Sequence, residues 1–378
     1  MVACMWIVSW LATLVVCANA WGLVSPIELE SKFKESSLVA VAFIAPSEAK
    51  SQSLETQWEG AASEANIPLL SIDCVANADA CKPHTDSAYP TVKLFNNGEA
   101  TSKFQGPRRA TAILAWLERT QRPVLSDVDI TSLTAFRSAD ETVFIAYIDP
   151  EDVESRAVFQ DVAEAFSAEF TFGISTDAES RASEELQAPA IKCYKPIDGD
   201  TKVFKGKLDQ QSLESFVKEA SRPIIGELLP HTHQRFLDRE WPMVYVFAET
   251  EAERTELRQS LKKLARSQYK SLTMVTVDPL EFPELPAKLG LEAGVFPSGA
   301  VHQLSTNRIY PYPKGQPINS RALQQWGLDV WQGRIDPWTP AGATPVPRAD
   351  TPGRIKATRK VSMRSFPGMK INIGRDEL

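Results

Sequence analysis

No two cysteines in this chain stand in Cys-x-x-Cys spacing. Five occur in 378 residues, and two of them, Cys4 and Cys17, fall in the first twenty. Cys74, Cys81 and Cys193 remain, too few for a disulfide-stapled scaffold, so apolar cores must hold the fold. An odd number implies one pair and one free thiol in an oxidising compartment. Only four histidines occur. His231 and His233 form a His-x-His with no third ligand nearby and read as the start of a surface helix, while His84 and His302 are isolated, so no metal is expected. The nucleophile elbow, the Walker loop and the dinucleotide fingerprint are absent, and no cofactor is expected. No basic face is interleaved with aromatics, which excludes nucleic acid as a natural partner. No Asn-x-Ser/Thr triplet offers an N-glycosylation site.

Long apolar runs are confined to the N-terminus. Trp6 to Val16 is an uncharged stretch followed by Ala18-Asn19-Ala20, a small-x-small cleavage pattern, and residues 1–20 read as a signal peptide. An uncleaved anchor is the alternative, but the run is short against the ~20 residues of a bilayer span. No later run is long and apolar enough to cross a membrane, so no membrane insertion is expected. The chain ends Arg375-Asp376-Glu377-Leu378. A terminal basic-Asp-Glu-Leu tetrapeptide is read by a retrieval receptor of the endoplasmic reticulum, and the two ends together imply a protein of its lumen. Residues 341–378 hold eight Lys or Arg against three Asp or Glu, are rich in Pro and Gly, and show no amphipathic face. They read as a disordered basic tail.

Between the ends a pattern recurs three times. Apolar runs at 37–45, 142–148 and 242–248 suit central strands covered on both faces. Polar-apolar helices follow at 47–65, 151–169 and 249–267, then further strands in "IPLLSIDC", "FTFGIST" and "SLTMVTVD". Each is succeeded by a proline opening a hairpin (Pro90, Pro189, Pro297) and an amphipathic helix. The spacing of these prolines is domain-sized, too long for a solenoid repeat. Parallel strands joined through a helix, then a hairpin and a closing helix, predict an α/β fold in three tandem units, 21–122, 123–222 and 223–340.

A β-α-β unit followed by a Pro-led hairpin and a helix is the thioredoxin layout. Three in one chain resemble the protein disulfide-isomerase family, closest to the a, b and b′ domains of its fungal-type members. "FQGPRRATAIL", "PIIGEL", "VFAETEAER" and "QWGLDVWQGRIDP" carry the resemblance, which extends over residues 24–338. The family's first domain bears Phe-Tyr-Ala-Pro-Trp-Cys-Gly-His-Cys-Lys. Here Phe43, Ala45, Pro46, Leu54, Trp58, Glu59, Ala61 and Ala62 match without a gap, and the two cysteines fall on Glu48 and Ser51. Exchange needs one thiolate to attack and a second thiol to resolve. Glu48 and Ser51 can do neither. The buried Glu that moves a proton in active members is Ala42 here, a coherent second loss.

The resemblance implies other sites. Cys74 and Cys81 match a structural disulfide, although an ideal helix would place them about 10 Å apart, so the segment between must bend. A solvent-exposed redox pair is the alternative. Cys193 reads as a buried, inert thiol. Tyr89-Pro90 matches the cis-proline loop that contacts clients in active members, or simply keeps the turn. Arg108 is retained, as a surface or packing residue. The b′ domain of the family holds an apolar peptide site, which would draw here on Phe236, Phe282, Leu285, Leu289 and Phe296, unless these are core. The function so implied is a redox-inactive relative that binds unfolded or misfolded polypeptides as a chaperone or escort and competes with active relatives. Weak isomerase activity through Cys74 and Cys81 is the runner-up. A luminal calcium buffer is a third reading, weakened by the lack of a long acidic run, and a tail from a truncated or misassembled frame a fourth.

Overall fold

The computed structural model describes residues 21–86 and 88–340. The expected signal peptide, the tail 341–378 and Arg375–Leu378 lie outside them. Three separate sheets carry the chain, of four, five and five strands.

The first unit runs α1 (Pro26–Glu35), β1 (Leu38–Ile44), α2 (Ala49–Glu64), β2 (Leu69–Asp73), α3 (Ala78–Cys81), β3 (Thr91–Asn96), β4 (Glu99–Lys103) and α4 (Ala110–Gln121). Its strand order is β2-β1-β3-β4, with β2 parallel and β3 antiparallel to β1. The apolar run of β1 is explained by its two coats. Ala40, Ala42 and Ile44 pack under Leu54, Trp58, Ile113 and Trp116 of α2 and α4. Val39, Val41 and Phe43 pack under Leu29 of α1 and the Cys74–Cys81 segment on the other face.

The second unit runs β5 (Ser126–Asp127), α5 (Leu133–Phe136), β6 (Val143–Tyr147), α6 (Val153–Phe166), β7 (Thr171–Ser175), α7 (Ala178–Ser183), β8 (Ala190–Lys195), β9 (Asp200–Val203) and α8 (Gln210–Ala220). The third runs β10 (Gly226–Leu228), α9 (His233–Leu237), β11 (Met243–Phe247), α10 (Glu251–Gln268), β12 (Thr273–Val277), α11 (Leu285–Lys288), β13 (Ser298–Gln303), β14 (Arg308–Pro311) and α12 (Ser320–Trp331). Their sheets share one order, β5-β7-β6-β8-β9 and β10-β12-β11-β13-β14. In both, alternate residues of the central strand are shared between two apolar clusters, one under the long helices and one under the short ones. Alternation on a strand buried on both faces produces two half-cores from one run of sequence.

The helix α1 and the short strands β5 and β10 are additions to the pattern read from the sequence. Each short strand pairs in parallel with the third-position strand of its unit and widens the sheet by one. All three hairpin prolines follow cis peptide bonds, Tyr89-Pro90, Ala188-Pro189 and Phe296-Pro297. The residue after each pairs with the C-terminal part of the central strand, Thr91 with Phe43, Ala190 with Tyr147 and Ser298 with Phe247. Register thus puts each proline beside the tip where the strand hands over to a helix. No helix among the described residues is long and apolar enough to cross a membrane.

Candidate functional site: the tip of the first unit and the acidic face it meets

The tip lies between the end of β1 and the first turn of α2. Ser51 is fully buried there, and its Oγ accepts a hydrogen bond of 3.2 Å from the Ala45 backbone N–H. A net bond of this kind is worth about 0.5–1.5 kcal/mol. The serine therefore holds the end of the strand against the helix. Glu48 occupies the N-cap of α2 in extended backbone, but its side chain makes no capping hydrogen bond. The turn is closed instead by Glu48 N–H donating to Ala45 C=O at 2.9 Å and Gln52 Nε2 donating to Pro46 C=O at 3.1 Å. Ala42 is fully buried in the apolar layer beneath α2, with no polar group in its place. A strand end, a helix start and a cis-proline peptide come together here, with no thiol among their side chains.

The remaining sulfur is bound or hidden. Cys74 and Cys81 form a disulfide with Cα atoms 5.6 Å apart. The chain bends between them. The Asp73 carboxylate accepts from Val75 N–H and Ala76 N–H, Asn77 Nδ2 donates to the Asp73 carbonyl, and α3 begins only afterwards. The two cysteines are 3% and 0% exposed. His84 stacks on Phe43 with ring centroids 5.2 Å apart, and burial, then the charge of Lys93, lowers its pKa from the ordinary value. Cys193 is free and fully buried, and desolvation pushes its thiol up to about 12. At neutral pH it stays protonated and unreactive.

Lys50, which stands between Glu48 and Ser51, reaches into the third unit and pairs with Glu281 at 3.1 Å. Arg108 does the same more deeply. Its side chain is 9% exposed, bonds Asp278 at 2.6 Å and also pairs with Glu281. Arg108, read from the sequence as a surface or packing residue, also ties its unit to one some 170 residues away in sequence. Its neighbour Arg109 pairs with Glu227 at 3.1 Å and Glu251 at 3.3 Å in the third unit, and with Glu141 in the second. Burial acts to lower the Arg109 pKa, but Glu141, Glu227 and Glu251 outweigh it and raise it. Burial together with the charge of Glu251 raises Glu227. Glu251 goes down despite burial, held by Arg258, Arg109 and Arg254. Sequence reading offers no signal for these contacts, because ion pairs between distant elements leave no period.

The five residues expected at a peptide site come together on one face of the third sheet, opposite α10 and α12. Leu289 belongs to the buried cluster with Tyr245, Phe247 and Val275, and Phe236, Phe282, Leu285 and Phe296 are partly buried against it. Phe236 rises from α9 over Gly226, where a Cβ would stand 3.1 Å from its ring. His233 opens α9, a helix with no fully buried residue, and is itself half-buried, with its ring edge-on to Phe282 at 5.5 Å. A cavity of about 630 Å³ opens where the three units meet, touching Arg109, Glu141, Arg222 and Phe236. Several of its charged groups are already paired, for example Arg235 with Glu169 at 2.9 Å and Lys195 with Asp200 at 3.1 Å. Among the described residues no cluster of three or more His, Cys, Asp or Glu could hold a metal ion.

The thioredoxin family model matches residues 24–119, and a thioredoxin-like domain model matches residues 148–327. The chain is 34% identical over 307 residues to the protein disulfide-isomerase of Humicola insolens, which covers 80% of this chain and 61% of that one. It is 31% identical over 340 residues to the protein disulfide-isomerase of Aspergillus niger, covering 88% of this chain and 66% of that one. The chain belongs to the protein disulfide-isomerase family. It spans roughly three fifths to two thirds of the length of these relatives. A crystal structure of human ERp44 overlaps 85% of the chain and 91% of its own length at 18% identity, with a TM-score of 0.40. Within this disulfide-isomerase homologue, Glu48 and Ser51 occupy the tip of the first of three thioredoxin-like units.

Proposed function

We propose that this disulfide-isomerase family member is redox-inactive and binds unfolded or nascent polypeptides in the lumen of the endoplasmic reticulum, as a chaperone or escort. The observation that carries the reading is a strand–turn–helix tip beside a cis-proline, filled by Glu48 and by a buried Ser51 bonded to Ala45. Neither can exchange a disulfide. The disulfide between Cys74 and Cys81 fits an oxidising compartment. Its burial argues against isomerase activity at that pair, since exchange requires a thiolate to reach the sulfur. The acids that do gather, Glu227, Glu251 and Asp278, are neutralised by arginines, which argues against a calcium buffer. Clients would meet the apolar layer of Phe236, Phe282, Leu285, Leu289 and Phe296, because unfolded chains expose apolar surface.

The test pairs two assays on the chain and on its Cys74→Ser/Cys81→Ser variant, with circular dichroism to confirm folding. Refolding of scrambled ribonuclease should not be accelerated by either. Aggregation of a heat-denatured client should be suppressed by both. Acceleration by the first alone would move the chemistry to Cys74 and Cys81 and sink the proposal. Absence of suppression by either would remove its second half.

A further inference from the structure

We infer that the former reactive face of the first unit has become a docking surface, an electrostatic latch that clamps the turn Asp278–Phe282 and closes the client layer of the third unit. The inference rests on the client reading given above, and deepens it with a mode of regulation.

Charge leads to it first. The third unit gathers four acids here, Glu227, Glu251, Asp278 and Glu281, but sets only Arg254 and Arg258 among them. Asp278 is 5% exposed. A buried surplus of like charge is costly unless opposite charge arrives from elsewhere. It arrives from one surface of the first unit, through Lys50, Arg108 and Arg109. The two surfaces are complementary in sign and in position.

The second argument is where these cations stand. Lys50 lies between the two positions that a working dithiol would occupy, and a dithiol has to stay open to its substrate. Here that space is committed to Glu281. Glu281 immediately precedes Phe282, and Asp278 anchors the same turn through its own carboxylate, which accepts from Leu280 N–H at 2.9 Å. Holding Asp278 and Glu281 therefore fixes the segment from which Phe282 and Leu285 enter the apolar layer. A client that wedges beneath these side chains must displace the first unit, and with it the Lys50 and Arg108 pairs.

The Lys50–Glu281 pair is only partly shielded, at 37% and 19% exposed, so salt reaches it first, while the Arg108–Asp278 pair, at 9% and 7%, is screened less. Raising ionic strength shortens the screening length from about 14 Å at ~0.05 M to about 4 Å at ~0.5 M. The latch should loosen over that range.

The experiment measures the radius of gyration by small-angle X-ray scattering and the binding of bis-ANS, on the full chain and on Lys50→Ala/Arg108→Ala, across that salt range. The native chain should expand and gain probe fluorescence severalfold as salt rises. The variant should start expanded and bright and change little. A native chain whose dimensions do not respond to salt, beside a variant of equal compactness, would overturn the latch. Expansion without a gain in probe binding would overturn the closure of the apolar layer. Should the variant fail to fold by circular dichroism, the salt series on the native chain decides alone. Aggregation assays on the same samples separate the two readings. Expansion with no suppression of client aggregation, open or closed, keeps the latch and removes the client reading.

Discussion

The three units end their central strands in the same way and then treat the following helix start differently. In the second unit Asp152 caps α6 by accepting from Ser155 N–H at 3.0 Å. In the third, Thr250 and Glu253 cap α10 reciprocally. In the first, Glu48 stands at the cap and makes no such bond. An uncapped helix start presents free N–H groups and the positive end of a dipole, the environment that stabilises a thiolate. The two sealed tips use those groups for stability. The open tip leaves that environment without a side-chain acceptor.

The comparison is tested hardest by restoring the chemistry. With dithiothreitol as the reductant, Glu48→Cys/Ser51→Cys should speed insulin reduction well beyond the native chain, and more so at high salt, where Lys50 is released. Adding Ala42→Glu should raise the rate further, by up to ~10²-fold, the lower range for a well-placed proton carrier. No acceleration by either variant would mean that the tip does not support exchange. A smaller effect separates the tips by stability. Thr250→Ala should cost about 1 kcal/mol through loss of its cap, while Glu48→Ala should leave the denaturation midpoint unchanged and Glu48→Ser should raise it. Equal losses at Thr250 and Glu48 would erase the difference between the tips. The smallest effect concerns pH. His84, His231 and His233 all have pKa values lowered by burial from the ordinary 6.5. The folded chain resists protonation that the unfolded chain accepts, so stability is full above about 6.5 and falls as pH drops through it. Melting at pH ~7.5 and ~5.5 should show the loss, and His233→Gln should reduce it.

Much of this is legible in the amino-acid sequence alone. Pro90, Pro189 and Pro297 marked three units because a proline at a strand start interrupts an otherwise apolar pattern. The unbroken match from Phe43 to Ala62 placed Glu48 and Ser51 because one helical turn fixes their spacing. Local rules do not reach further. The two-residue strand at Ser126–Asp127 is too short for any period to register, and α1 is amphipathic enough only to shield one edge. Arg108 could be numbered but not placed, since Asp278 and Glu281 lie two units downstream and nothing in their own stretch requires a partner. Pairwise electrostatics between folded bodies depends on how they dock, and the linear pattern encodes that only through shape.

Cys193 lies at 0% exposure, and the other two described cysteines are spent on each other. Among the described residues no thiol is both free and exposed. On the reading proposed above, a client held by the third unit would leave by dilution alone, and its release would consume no reducing equivalents.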